Sequence, residues 1–101
     1  PVDDATIQGF FNRERIWDRV CSGELMFEVT RDRIAPPEEQ SGQPVGTRSQ
    51  KILITTPDGQ FVASAHRYLR PGESALGGRP DPLRMVLPEK MLSRRRREPA
   101  G

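Results

Sequence analysis

The sequence predicts a small α+β domain, in which an antiparallel sheet of three to four strands carries an N-terminal helix packed on one face. Near the N-terminus, apolar residues recur at helical spacing, and the segments that follow alternate between apolar and polar residues. Two of these segments flank a typical turn sequence. Because 101 residues leave room for one hydrophobic core, we assign residues 1–92 to a single domain and residues 93–101 to a basic C-terminal tail.

The predicted helix runs from about Asp4 to Cys21, and the alternative is a shorter helix that starts at Arg13 with Asn12 as its cap. An aspartate at its start can cap the first turn, and Gly23 lies just past its end, where helices often take a left-handed residue. We expect Cys21 to be a buried filler on the apolar side and not a nucleophile. The apolar stripe consists of Ile7, Phe10, Phe11, Trp17, Val20 and Cys21.

The next segments predict a strand, a long connection and a second β-rich region. Residues 24–31 alternate, with Leu25, Phe27 and Val29 on one side, and predict a half-buried strand. Residues 35–46 contain three prolines and two glycines without apolar rhythm, so they predict an exposed loop. After residue 70, Leu83 to Leu87 predicts a short strand. Pro88 suits the first position of a terminal helix over residues 89–97.

The strongest local signal is a β-hairpin between Arg48 and Arg70. Its turn, residues 56–60, has the sequence Thr-Pro-Asp-Gly-Gln. Pro57 presets φ and Gly59 accepts a positive φ, as a type I turn closed by a G1 bulge requires. If Thr56 opposes Gln60 and pairing continues without interruption, Thr55 pairs with Phe61, Ile54 with Val62, Lys51 with Ala65 and Gln50 with His66.

This register divides the hairpin into two faces. We expect the face with Ala63 and Ala65 to meet the helix, because small side chains leave room for aromatic ones. The predicted core consists of Phe10, Trp17, Phe27, Leu53 and Phe61. The opposite, polar face carries Arg48, Gln50, Ser64, His66, Tyr68 and Arg70.

Charge is distributed unevenly along the chain. Residues 1–46 contain five Lys and Arg against nine Asp and Glu, whereas residues 47–101 contain eleven against five. A basic half favours an anionic partner, such as nucleic acid or an acidic protein surface. The predicted binding residues are Arg48, Lys51, His66, Arg67, Tyr68 and Arg70, together with the tail residues Arg94, Arg95, Arg96 and Arg97.

Several functional classes are poorly supported. One cysteine and one histidine offer no zinc-binding spacing, the glycines lack the frame of a phosphate-binding loop, and we expect no metal and no cofactor. A single cysteine is typical of a reducing compartment, so we expect a cytoplasmic location. No apolar run exceeds three residues, so we expect no membrane insertion.

We therefore predict a non-catalytic module that binds nucleic acid or another acidic partner. One alternative is a small metal-free ribonuclease or toxin-like enzyme centred on His66, with Tyr68 and Arg70 beside it, because imidazole can move a proton and a guanidinium can stabilise phosphate charge. Another is a structural subunit of a larger assembly. The element order is similar to that of double-stranded RNA-binding domains, but the lysine-rich start of their second helix is missing here, and we assign no family.

Overall fold

The computed structural model describes residues 4–36, 43–87 and 90–93. Two helices precede a sheet whose strands follow one another in sequence order, each antiparallel to the last. The α+β class is confirmed, with four strands of seven to nine residues and a fifth of four. The elements are α1 (Asp4–Arg13), α2 (Ile16–Cys21), β1 (Met26–Ile34), β2 (Arg48–Thr55), β3 (Phe61–Leu69), β4 (Asp81–Leu87) and β5 (Lys90–Ser93).

The N-terminal helix is not continuous, contrary to the sequence prediction. Arg15 adopts a left-handed conformation with φ of 56°, and its backbone N–H bonds to the carbonyl of Asn12. In one straight helix, Phe11 and Ile16 would lie about 140° apart around the axis. The break at residues 14–15 turns α2, so that Phe11 in α1 and Ile16 in α2 are both buried.

One face of the sheet, which we call the covered face, packs against both helices and the segment 70–80. The prediction that Ala63 and Ala65 line this face is confirmed, since both are fully buried. The predicted core is wrong at Leu53 and Phe61, which lie half-buried on the other face. Phe10 and Phe27 pack at the margin of the core. The buried cluster is Ile7, Phe11, Ile16, Trp17, Val20, Leu25, Ile52, Ile54, Ala63 and Met85.

The hairpin turn forms as predicted, but the register beyond it is shifted. Gly59 has φ of 94° and donates its N–H to the carbonyl of Thr56. Thr55 pairs with Phe61 as predicted, whereas Ile54 pairs with Ala63 and Lys51 with His66. Val62 is an additional residue on β3, a β-bulge that moves every later pair by one position. This shift places Ile52 and Ile54, and not Leu53, on the covered face with the two alanines.

Two more bulges interrupt the neighbouring ladders. Thr30 is the extra residue on β1 between the Val29–Ile52 and Arg31–Lys51 pairs. Leu83 is the extra residue on β4, because Ser64 pairs with Arg84 and Ala65 with Pro82. The three bulges therefore decide which side chains share a face.

Two further predictions need correction. Cys21 is exposed, because α2 presents Trp17 and Val20 to the core and turns its last residue outward. Residues 90–93 form strand β5 instead of a helix, and the rest of the predicted helix lies outside the described residues. Within the described ranges, no helix is long and apolar enough to cross a bilayer.

Candidate functional site

The face of the sheet opposite the helices, which we call the open face, carries charged and aromatic side chains in rows across the strands. Arg31, Lys51, His66 and Asp81 are successive cross-strand partners and therefore form one row on one face. The neighbouring row contains Arg33, Ser49 and Tyr68. A third contains Glu28, Leu53, Ser64 and Arg84.

The open face has an excess of positive charge. Among the described side chains, it carries four cations, Arg31, Arg33, Lys51 and Arg84, against the carboxylates Glu28 and Asp81. The side chains of Arg31 and Lys51 are exposed and make no hydrogen bond or ion pair with the described part of the chain. These two adjacent cations can therefore reach an anionic ligand without breaking an internal contact.

Aromatic rings accompany these charges. Tyr68 is 38% exposed, and its ring meets that of His66 edge to face, with centroids 4.9 Å apart. Phe61 lies half-buried at the other end of the face, with the guanidinium of Arg84 5.4 Å from its centroid. Exposed rings beside cations provide surfaces on which bases can stack.

His66 is held in place by a serine. The Nε2 atom of His66 lies 2.8 Å from the Oγ atom of Ser49, and Ser49 is only 6% exposed. This pair places a titratable imidazole beside Tyr68 in the centre of the open face. An imidazole there can accept a hydrogen bond or move a proton, depending on its tautomer.

The predicted binding residues are divided between the two faces of the sheet. Lys51, His66 and Tyr68 share the open face, where Lys51 and His66 are partners in one row and Tyr68 lies in the neighbouring row. Arg48 and Arg67 belong to the covered face, because the bulge at Val62 pairs Gln50 with Arg67. Arg70 follows the end of β3 and donates from Nε to Gln43. The tail residues 94–97 lie outside the described residues.

A polar network links Arg48 and Arg67 on the covered face. The Arg48 Nε donates to Asp32 at 2.7 Å, and this hydrogen bond holds the pKa of the Asp32 carboxyl below its ordinary value. Gln50 is buried and accepts from the Arg67 Nε at 2.8 Å. Both arginines are therefore held by internal partners, Arg67 buried and Arg48 at the partly exposed margin of the covered face.

Arg67 is the centre of this network. It is 3% exposed, and its Nη1 donates to the carbonyls of Ala75 at 2.6 Å and Gly78 at 2.7 Å. A side chain at position 78 would place its Cβ 2.6 Å from the Leu69 Cδ1, so a larger residue there would require the end of the Leu69 side chain to move. Burial holds the pKa of the Arg67 guanidinium below its ordinary value, with Glu73 and Asp32 acting in the opposite direction.

A cavity of about 400 Å³, which we call the edge cavity, opens where β4 stops pairing with β3. β4 pairs with β3 only from Ala63 to His66, so beyond His66 no strand lies on that side of β3 and the segment 70–80 forms the other wall. The lining includes Arg67, Arg70, Arg79, His66, Tyr68 and Asp81. The cavity therefore connects the open face with the buried Arg67.

Metal binding has no support among the residues that the structure describes, because no group of three or more His, Cys, Asp or Glu side chains lies together. The exposed Cys21 thiol contacts the carbonyl of Leu76 at 3.6 Å.

Sequence reasoning did not identify Arg31, Arg33 or Ser49 as site residues. The two arginines belong to the acidic half of the chain, so a division of charge by halves conceals them. The alternation of β1 places Arg31 and Arg33 on one face, so the sequence pattern of this strand could have identified them as neighbouring cations. Ser49 was not detectable in this way, because its contact with His66 depends on the bulge.

No family model, curated protein or solved structure gives a significant match to this chain.

Proposed function

We propose that this domain is a non-catalytic module that binds single-stranded nucleic acid on its open face, with the arginine-rich tail adding further positive charge. The observation that carries the proposal is the row of Arg31, Lys51 and His66 beside the exposed ring of Tyr68. Phosphates would meet the cations and bases would stack on the rings, the combination that single-strand binders use.

The arrangement favours a single strand over a duplex. A flexible strand can follow the rows across a sheet, because its bases are free to turn toward the aromatic rings. Among the described residues, α1 and α2 pack against the covered face, so no helix projects from the open face to enter a major groove. An acidic protein would also be attracted by the cations but would gain less from Tyr68.

The test is fluorescence anisotropy with labelled single strands of DNA and RNA at several salt concentrations. Replacing Arg31 and Lys51 by Gln should weaken binding and make the log-log salt slope shallower by about 1.4, at roughly 0.7 per lost phosphate contact. The double variant Arg13→Gln/Arg19→Gln is the matched control, because it removes two cations from the helices. Equal loss in both variants would show attraction by net charge alone.

Truncation after Ser93 tests the tail while leaving β5 intact. Loss of the four arginines at 94–97 should make the slope shallower by about 2.8 at the same 0.7 per contact. Absence of binding by the full chain near 50 mM salt, about the low end of the useful range, would refute a nucleic-acid ligand. Binding of polyglutamate under the same conditions would then identify an acidic protein as the partner.

RNA cleavage is the second candidate, favoured by the contact between Ser49 and His66 and by the presence of His66, Tyr68 and Arg70 around one cavity. His66 would take the proton of a ribose 2′-hydroxyl as that oxygen bonds to phosphorus. Tyr68 would protonate the departing 5′-oxygen, and Arg70 would stabilise the charge on phosphate. A 2′,3′-cyclic phosphate product that disappears in His66→Ala would support this reaction. Unchanged labelled RNA after prolonged incubation would exclude it.

A further inference from the structure

Arg67 is a buried cation that forms no ion pair within the described part of the chain, although the carboxylates of Glu73 and Asp32 act on its charge from a greater distance. Its three hydrogen bonds go to the neutral oxygens of Gln50, Ala75 and Gly78, and its guanidinium lies 5.7 Å from the centroid of the Trp17 ring. These contacts fix the orientation of the guanidinium but cancel none of its charge. Desolvating such a charge is costly unless an anion accompanies it.

The Nη2 atom of Arg67 makes no hydrogen bond with the described residues, and Arg67 lines the edge cavity. Arg70 and Arg79 stand on the same lining, and both are exposed. Arg79 donates to Asn12 at 2.6 Å, which holds its guanidinium in position. Three arginines from β3 and the segment that follows it therefore line one cavity.

Two carboxylates, those of Glu73 and Asp81, also line the cavity. Glu73 accepts the backbone N–H of Arg70 at 2.7 Å, so one of its oxygens is engaged. Asp81 is exposed at the start of β4. Neither carboxylate forms an ion pair with Arg67 among the described residues, although Glu73 favours the charged guanidinium from a greater distance. The Arg67 guanidinium therefore has no anion in direct contact.

We propose that the edge cavity binds a phosphate monoester, whose phosphate group contacts Arg67 at the deep end and Arg70 and Arg79 at the opening. Guanidinium groups match phosphate oxygens in charge and planar geometry. A volume of about 400 Å³ lies in the usual range for small-molecule sites, which leaves room for a sugar or base attached to the phosphate. His66 and Tyr68 would contact that organic part.

The phosphate has two possible sources. The first is the terminal phosphate of a nucleic-acid strand bound on the open face, and this source rests on the proposed function. The second is the phosphate of a free nucleotide, which is independent of the proposed function. Because His66 and Tyr68 belong to both the cavity and the open face, the end of a nucleic-acid strand could enter the cavity while the rest of that strand stays bound to the open face.

The experiment is a titration of the ¹⁵N-labelled full chain by NMR with adenosine 5′-monophosphate, inorganic phosphate and adenosine. We expect the monophosphate to shift the amide signals of residues 66–68 and 77–79, inorganic phosphate to shift the same signals more weakly, and adenosine to leave them unchanged. Arg79→Gln and Arg70→Gln alter exposed residues. Each should lower the affinity for the monophosphate about tenfold, the effect of losing one charged hydrogen bond. Arg19→Gln is the matched control and should leave the affinity unchanged.

Binding of 5′-phosphorylated and 5′-hydroxyl oligonucleotides of one sequence separates the sources. A preference for the phosphorylated strand, lost in Arg79→Gln, supports the terminal phosphate. Monophosphate binding without strand binding supports the free nucleotide and refutes only the proposed function. Strand binding without any preference and without monophosphate shifts refutes the cavity proposal alone. Shifts that persist unchanged in both arginine variants would also overturn it.

Discussion

The two faces of the sheet use similar residue types for different purposes. The covered face buries Trp17 over β1 and holds Arg67 by three hydrogen bonds. The open face exposes Tyr68 and leaves Lys51 without an internal partner in the described part of the chain. An aromatic ring and a cation therefore stabilise the fold on one side and remain available to a ligand on the other.

Charge alone therefore does not identify a binding surface on this domain. Arg48 and Arg67 belong to the basic half of the sequence but are engaged by Asp32 and Gln50. Arg31 belongs to the acidic half but is exposed beside Lys51. The partners of a cation, and the face on which it lies, decide whether it can contact a polyanion.

The largest expected difference in stability is between substitutions of two aromatic residues, Trp17 against the covered face and Tyr68 on the open face. Trp17→Ala should lower the free energy of unfolding by about 3–5 kcal/mol, because Trp17 is 4% exposed and packs against Phe27 with ring centroids 5.6 Å apart. Tyr68→Ala should cost less than about 1 kcal/mol, as expected for a partly exposed side chain. Chemical denaturation of the two variants measures both values. Similar losses would break the distinction between the faces.

The second difference in stability is between substitutions of two cations, Arg67 on the covered face and Lys51 on the open face. Arg67→Gln should lower the free energy of unfolding by about 2–4 kcal/mol, because it leaves buried acceptors without their charged donor. The acceptors are Gln50 and the carbonyls of Ala75 and Gly78. Lys51→Gln should change stability by less than about 0.5 kcal/mol. If Arg67→Gln were as stable as the wild type, the network on the covered face would be energetically unimportant.

A smaller effect is expected for His66, which lies half-buried on the open face. His66→Ala should cost about 1 kcal/mol, the usual contribution of one neutral hydrogen bond, here to Ser49. Thermal unfolding followed by circular dichroism measures this loss. A decrease as large as that of Trp17→Ala would move His66 from the candidate site to the structural core.

The smallest effect is on Asp32, and it depends on pH. The hydrogen bond from Arg48 holds the pKa of Asp32 below its ordinary value, so this contact stabilises the fold fully above the ordinary pKa of an aspartate and is lost as pH falls through the lower pKa of the folded state. Asp32→Asn should cost about 0.2–1 kcal/mol at neutral pH, since the pair is partly exposed. Unfolding measured between pH 7 and pH 2, roughly the useful range, should show the difference from the wild type disappear under acid conditions. A constant difference would assign the loss to packing.

The reliable predictions from sequence were local. The turn at residues 56–60 followed from Pro57 and Gly59, and the antiparallel class followed from alternation on either side of it. The first pair of the hairpin, Thr55 with Phe61, was also correct. These features depend on neighbouring residues only, so the sequence contains the information directly.

The failures involved contacts between distant segments. The left-handed Arg15 was not predictable from propensity, since it arises from the need of both helices to bury their apolar sides against one sheet. The bulge at Val62 shifted Leu53 away from the core and separated Arg48 from His66. Part of the candidate site was found through His66, Tyr68 and Lys51, but the partners of these residues depend on the shifted register.

The three bulges have a consequence for changes in chain length. At Thr30, Val62 and Leu83 one strand has a residue more than its partner, so deleting that residue would restore regular pairing and keep every other side chain on its face. Deleting a residue elsewhere within β1 to β4 would exchange the two faces beyond the deletion. Among sequences that descend from a common ancestor with this one, single-residue gaps within the strands should therefore concentrate at these three positions.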